Sequence, residues 1–239
     1  MLSTERSKKS SFFNNFASNN KFYIISAVLI LFAVYLAGCV NYEQKTALNK
    51  DGSGTMTVHY WTKMSNLKSG KDVGNFSFDE SKAKSNYSSS NNEVTSIKIK
   101  DNLEDSTTHV EMDIKFKNIN EINSAKGFEK VKASWKEGKE GMDFSYIVAK
   151  DTSAAKNMGA NENVLNYEFT FPDEILSTNG IKDGKKVKWN KNLSDLKEDL
   201  EMTATVKSEG KKCGLFGMEL PLIALAGLAL IRFSSKRKK

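Results

Sequence analysis

Polar and apolar side chains alternate without a break over residues 109–117. Val110, Met112, Ile114 and Phe116 fall on one side; His109, Glu111, Asp113, Lys115 and Lys117 fall on the other. A period of two does not make a helix stripe and specifies a strand with one buried and one solvated face. Met142, Phe144, Tyr146 and Val148 repeat the pattern, as do Leu165, Tyr167, Phe169 and Phe171. Met56, Val58 and Tyr60 make a shorter version, and so do Met202, Ala204 and Val206. Asp51-Gly52-Ser53-Gly54 separates Thr46-Ala47-Leu48 from the strand that includes Met56, which predicts a hairpin.

Helical signals are fewer. Asn118 followed by Glu121 has the spacing of a capping box, with Ile119, Ile122 and Phe128 as apolar positions and Gly127 near the end. Residues 79–84 predict a second short helix, running into a polar loop over 85–92 that is expected to bury little surface. Leu193, Leu196 and Leu200 predict a third. Strands outnumber helices and no connection reads as a repeated βαβ crossover. The expected fold is α+β, a mainly antiparallel sheet with two or three short helices. Residues 39–210 are the size of one domain, and no internal repeat is present.

The formal net charge of +7 looks at first like an affinity for nucleic acid. Its location says otherwise. Residues 1–38 hold Arg6, Lys8, Lys9 and Lys21 against Glu5, and residues 211–239 hold seven basic groups against Glu219. Taking these from the 36 basic and 29 acidic residues leaves 25 and 27 between Cys39 and Gly210, a net charge of −2. Phosphate recognition needs the cations on a folded face, so nucleic acid is not the expected partner. Two cysteines exclude a disulfide-rich scaffold and a four-thiolate metal site.

The N-terminal cations precede a 17-residue apolar run, residues 22–38, which has the pattern of an export signal with its positive end left in the cytoplasm. The run ends in Leu36-Ala37-Gly38-Cys39, which resembles the lipobox of bacterial lipoproteins. The resemblance implies that the Cys39 thiol is alkylated by a diacylglycerol. Residues 1–38 are then removed as a signal peptide between Gly38 and Cys39, and a further acyl chain such as palmitate goes onto the freed amine. Several acyl chains give stable anchoring at about 0.8 kcal/mol per buried methylene. The competing reading is an uncleaved signal anchor, because 17 residues only just span a bilayer.

Residues 211–239 contain a second apolar run, uncharged from Leu220 to Ile231, followed by Arg232 and Lys236-Arg237-Lys238-Lys239. It reads as a marginal transmembrane helix whose cations stay inside, so both ends of the precursor agree on an external middle. Glu219 and Pro221 interrupt the span. The run also resembles the C-terminal sorting signals that membrane proteases or transpeptidases remove, with Cys213 and Gly214 at the processing position. A permanent anchor and a removed signal both stay open. Lipidation of Cys39 would leave Cys213 without an intrachain disulfide partner.

One internal segment is more specific. Phe171-Pro172 leads through Ile175-Leu176-Ser177 to Thr178-Asn179-Gly180, then to Asp183-Gly184 and Val187-Lys188-Trp189. Pro172 ends a strand, the two glycine dipeptides turn, and Val187 and Trp189 re-enter the core. With the Asp51–Gly54 turn soon after Cys39, this pattern resembles the LppM-like domain family of bacterial lipoproteins. The resemblance spans most of residues 39–207. It implies an extracytoplasmic α/β domain of a kind that in some members looks suited to lipid or glycolipid. The motif residues serve turns and core and carry no chemistry across.

Direct signs of catalysis are sparse. His59, His109 and the nearby Glu111 have the chemistry to ligate a metal, but two unrelated surface histidines are the expected reading. Gly52-Ser53-Gly54-Thr55 lacks the Gly-Lys-Ser/Thr of a phosphate loop, and G-x-S-x-G, H-E-x-x-H and C-x-x-C are absent. Asp173 and Glu174 read as a solvated turn. Trp61, Trp135 and Trp189, with 14 Phe and 7 Tyr, serve either core packing or an apolar cavity between sheet and helices, open at the membrane. The expectation is a non-enzymatic lipoprotein of the bacterial cell envelope, with no cofactor, no catalytic residue and no metal, binding a lipid or other hydrophobic component. Two alternatives are a structural or adaptor protein working through protein–protein contacts, its partner unspecified, and an envelope hydrolase using the carboxylates and histidines.

Overall fold

The computed structural model describes residues 40–156 and 159–208. Gly38, Cys39, Cys213, Gly214 and both terminal apolar runs therefore lie outside the described residues. Among the described residues no helix is long and apolar enough to cross a membrane.

The first hairpin forms where the sequence predicts it. β1 (Asn41–Leu48) and β2 (Gly54–Lys63) pair antiparallel, Tyr42 opposite Tyr60 and Leu48 opposite Gly54. In the turn, Gly52 takes φ +85° and the Asp51 carboxylate accepts from the Ser53 amide at 3.0 Å. This carboxyl is held below its usual pKa by bonds from Ser53. Gly54 must be glycine because a Cβ there would strike the Ala47 carbonyl and the Phe116 ring.

The chain continues through a two-stranded ribbon, β3 (Asp72–Val73) and β4 (Phe76–Ser77), and helix α1 (Glu80–Tyr87) to the hairpin β5 (Asn92–Asn102) and β6 (Thr107–Phe116). β7 (Val131–Glu137) and β8 (Met142–Val148) follow, then the helical turn α2 (Thr152–Ala155) and β9 (Val164–Thr170). β10 (Ile175–Thr178), β11 (Ile181–Asp183), β12 (Lys186–Asn192) and β13 (Leu200–Val206) complete the described elements. They form a seven-stranded sheet, β11-β12-β9-β1-β2-β6-β5, and a four-stranded sheet, β10-β13-β8-β7.

The fold is α+β and mostly antiparallel, with one departure from the expected pattern: β9 runs parallel to β1, Gln44 beside Tyr167. The chain leaves the large sheet after β6, builds β7 and β8 of the small one, and returns on the far side of β1. A further adjustment lies in β5, where a bulge between Val94 and Ser96 shifts the phase. Val94, Ile97 and Ile99 thereby all oppose the buried residues Ile114, Met112 and Val110 of β6.

The two sheets stack through aromatic rings. Phe144 and Tyr146 of β8 meet Phe169 of β9 at centroid distances of 4.7 and 5.2 Å. Phe169 and Tyr146 are fully buried, and each such large side chain contributes roughly 1.5–3 kcal/mol. The rest of the inner face of the large sheet is covered by α1 and the loops. Tyr60 of β2 packs edge-on to Phe78, and Tyr87 of α1 packs edge-on to Phe128.

Two predicted helices take a different form. Residues Ile119–Ser124 and Leu193–Lys197 are 3-10 turns, and Leu200 already belongs to β13. Apolar residues three apart, Ile119/Ile122 and Leu193/Leu196, suit three residues per turn. The Asn120 side chain also accepts from the Trp135 amide at 2.6 Å, tying the first segment to β7 like an extra strand residue.

Residues 85–92 depart more sharply from the expected solvated loop. The helix extends to Tyr87, which is only 2% exposed, and Asn91 and Asn92 are buried as well. Their amides take over backbone groups that would otherwise be orphaned. The Asn91 side chain accepts from the Asn118 amide and donates to its carbonyl, both at 2.9 Å, and Asn92 donates to the Ile122 carbonyl at 3.0 Å.

Candidate functional site

Between the two sheets and the Lys126–Phe128 turn lies a cavity of about 530 Å3, within the roughly 300–1,000 Å3 of small-ligand sites. Its walls include Leu165 of β9, Phe128, and Leu193 and Leu196 of the last 3-10 turn. Four tyrosines from four separate elements also line it: Tyr42 (β1), Tyr87 (α1), Tyr146 (β8) and Tyr167 (β9). All four are at least nine-tenths buried. Alternation places Tyr42, Tyr146 and Tyr167 on inward faces, and the last turn of α1 brings Tyr87 over them.

Gln44 organises the polar end of this cluster. It is 1% exposed and occupies an inward position of β1 beside Val58 and Tyr167. Its Oε1 accepts from the Tyr42 hydroxyl at 2.9 Å and from the Tyr146 hydroxyl at 3.1 Å, while its Nε2 donates to Thr46 Oγ1 at 3.1 Å. The Tyr87 and Tyr167 hydroxyls have no protein hydrogen-bond partner among the described residues. Burial, followed by the proximity of the other phenols, raises the pKa of Tyr42 and Tyr87 well above the usual value. Burial also raises Tyr146 and Tyr167. The four phenols thus stay neutral at physiological pH.

Charge is confined to the rim. Lys126, Glu129 and Lys130 are exposed there, and Lys130 pairs with Asp151 at 2.8 Å. Gly127 lets the Tyr87 ring lie against the turn, since a Cβ at that position would come within 2.6 Å of the ring.

On the opposite face of the large sheet, His59 and His109 are brought together. His59 Nε2 lies 3.0 Å from His109 Nδ1, and both rings stack with Trp61. They are not the unrelated pair expected from spacing; antiparallel pairing of β2 with β6 makes them diagonal neighbours. Glu43 and Glu111 flank His59 on the neighbouring strands, and the Glu43 carboxylate lies 3.7 Å from it. Among the described residues no group of three or more His, Cys, Asp or Glu side chains is placed to hold a metal ion. Burial, then the neighbouring His59, lowers the pKa of His109.

The other candidates are structural. Asp173 pairs with Lys50 at 3.3 Å and Glu174 with Lys207 at 3.2 Å on the surface. Trp135 and Trp189 are core residues. Sequence reasoning missed Gln44, Tyr42 and Tyr87. For the first two a signal was present, because Tyr42, Gln44, Thr46 and Leu48 share one parity of the strand and Leu48 marks it as inward.

No family model matches the sequence, and no curated protein matches it. Among solved structures the chain is similar to the folded domain of the Mycobacterium tuberculosis LppM protein, determined by NMR. That similarity has 10% identity and a TM-score of 0.43, covering 74% of this chain and 94% of that one.

Proposed function

We propose that this chain is a lipid-anchored protein of the bacterial cell envelope whose domain holds a lipid or other hydrophobic envelope component and catalyses no reaction. The observation that carries the reading is the cavity, whose aromatic and aliphatic walls suit an apolar body and whose few polar groups suit orientation rather than bond-breaking. The address comes from Leu36-Ala37-Gly38-Cys39. Val40, the residue after Cys39, lines the cavity. A lipid on Cys39 would therefore hold the cavity next to the membrane surface, where an apolar ligand can enter without crossing water.

Two mass measurements test this. Native mass spectrometry after gentle extraction is expected to show a co-purifying hydrophobic molecule on the domain; a domain that always flies empty would defeat the binding reading. The intact mass of the mature chain is expected to correspond to a start at Cys39 with added acyl mass. A start at Met1 without acyl mass would remove the anchor.

A further inference from the structure

Resting on the cavity reading, we infer that the occupant buries an uncharged oxygen acceptor, such as the ester carbonyl of an acylglycerol, against the hydroxyls of Tyr87 and Tyr167. Tyr87 is 2% and Tyr167 6% exposed, both line the cavity, and neither hydroxyl has a protein partner among the described residues. A buried hydroxyl normally has a partner, because burial takes away the hydrogen bonds it made to water. Tyr42 and Tyr146, lining the same cavity, have spent their protons on Gln44. Two O–H donors therefore remain available to whatever fills the space.

The sign of the charge follows from the lining. The inner wall contains no cation, and Lys126 and Lys130 sit at the rim, the latter already paired with Asp151. A carboxylate drawn down to the phenols would be desolvated without a counter-ion, which is strongly unfavourable. A plain hydrocarbon would leave both donors unbonded. A neutral ester or amide oxygen meets both conditions, with the acyl chain along Leu165, Leu193 and Leu196 and any charged headgroup left among the rim residues.

Such an ester can belong to a bilayer lipid or to the diacylglyceryl group on Cys39 itself, and the experiment separates these sources. The full chain in its membrane is photolabelled with three diazirine probes of equal chain length: a monoacylglycerol, a fatty acid and an alkane. Crosslinks are mapped by mass spectrometry. The monoacylglycerol is expected to label cavity peptides at the lowest dose. Tyr87→Phe combined with Tyr167→Phe, which keeps both rings, is expected to raise its half-saturating dose about tenfold while leaving alkane labelling unchanged. Stronger labelling in Cys39→Ser than in the unaltered chain would assign the ester to the protein's own anchor, and equal labelling would assign it to the bilayer. Ester and alkane labelling equally, with no effect of the two phenylalanines, overturns the inference and leaves the cavity reading standing. A preference for the fatty acid also overturns it. Failure of every probe to label the cavity, in Cys39→Ser as well, overturns the cavity reading itself.

Discussion

The Tyr146 hydroxyl of the small sheet donates to Gln44 Oε1 of the large sheet at 3.1 Å, a polar tie across an aromatic interface. The same oxygen accepts from Tyr42, so one amide satisfies two buried phenols. Replacing Gln44 with Leu removes the acceptor but leaves both donors. We expect a loss of about 2–3 kcal/mol, whereas Tyr146→Phe, which removes a donor instead, should cost about 1 kcal/mol. Urea midpoints at constant slope measure both.

Alkaline pH should unfold the domain steeply. Tyr42, Tyr60, Tyr87, Tyr146 and Tyr167 all have folded pKa values above the ordinary 10.0, chiefly through burial. Below that pH both states keep their phenolic protons and the stabilisation is complete. Above it the unfolded chain releases protons that the folded domain retains, so stability falls as pH rises. Each tyrosine contributes about 1.4 kcal/mol per pH unit in that window. Absorbance near 295 nm should therefore report tyrosinate from these residues only as circular dichroism reports unfolding.

Gly127→Ala should damage the cavity specifically. The added methyl meets the Tyr87 ring at 2.6 Å, and the ring is backed by Phe128 and Tyr60. Overpacking of this kind costs about 1–3 kcal/mol, and it displaces a ring that lines the cavity. On the proposed binding role, the measurable outcome is a lower occupancy of the domain by hydrophobic ligand in native mass spectrometry.

The Asn179 side chain joins the sheets at their corner. Its Oδ1 accepts from Trp189 Nε1 at 2.8 Å and from the Thr203 amide at 2.9 Å, and its Nδ2 donates to the Glu201 carbonyl at 2.9 Å. Asn179→Ala should cost about 1–2 kcal/mol, chiefly by stranding the N–H of the buried Trp189, and should shift Trp189 fluorescence as the indole N–H loses its acceptor.

His109 should titrate below the usual imidazole range, and proton NMR of its ring reads the value directly. Its folded pKa is lowered by burial and by His59. Its contribution to stability is therefore present above about pH 6.5, the unfolded value, and is lost as pH falls through the folded value. His59→Gln should move the His109 titration upward by removing a like charge.

The period-two alternation was sufficient to identify β2, β6, β8 and β9 with the face each buries, and the Asp51–Gly54 turn placed the β1–β2 hairpin, because that information is local in the chain. The Asn179-Gly180 corner and the Val187/Trp189 strand were legible for the same reason. The parallel seating of β9 beside β1 was not, since it depends on where the chain returns after building part of a second sheet. Nor were the burial of Asn91 and Asn92, whose partners lie about 27–30 residues away, or the meeting of His59 with His109 across a strand pair. The cavity is the extreme case. Tyr146 and Tyr167 could be read as buried, but Tyr87 stood in a stretch of serines and asparagines, and Gln44 is polar. Their convergence with Tyr42 comes from stacking two sheets under one helix, a long-range arrangement that leaves no periodic trace in the order of the residues.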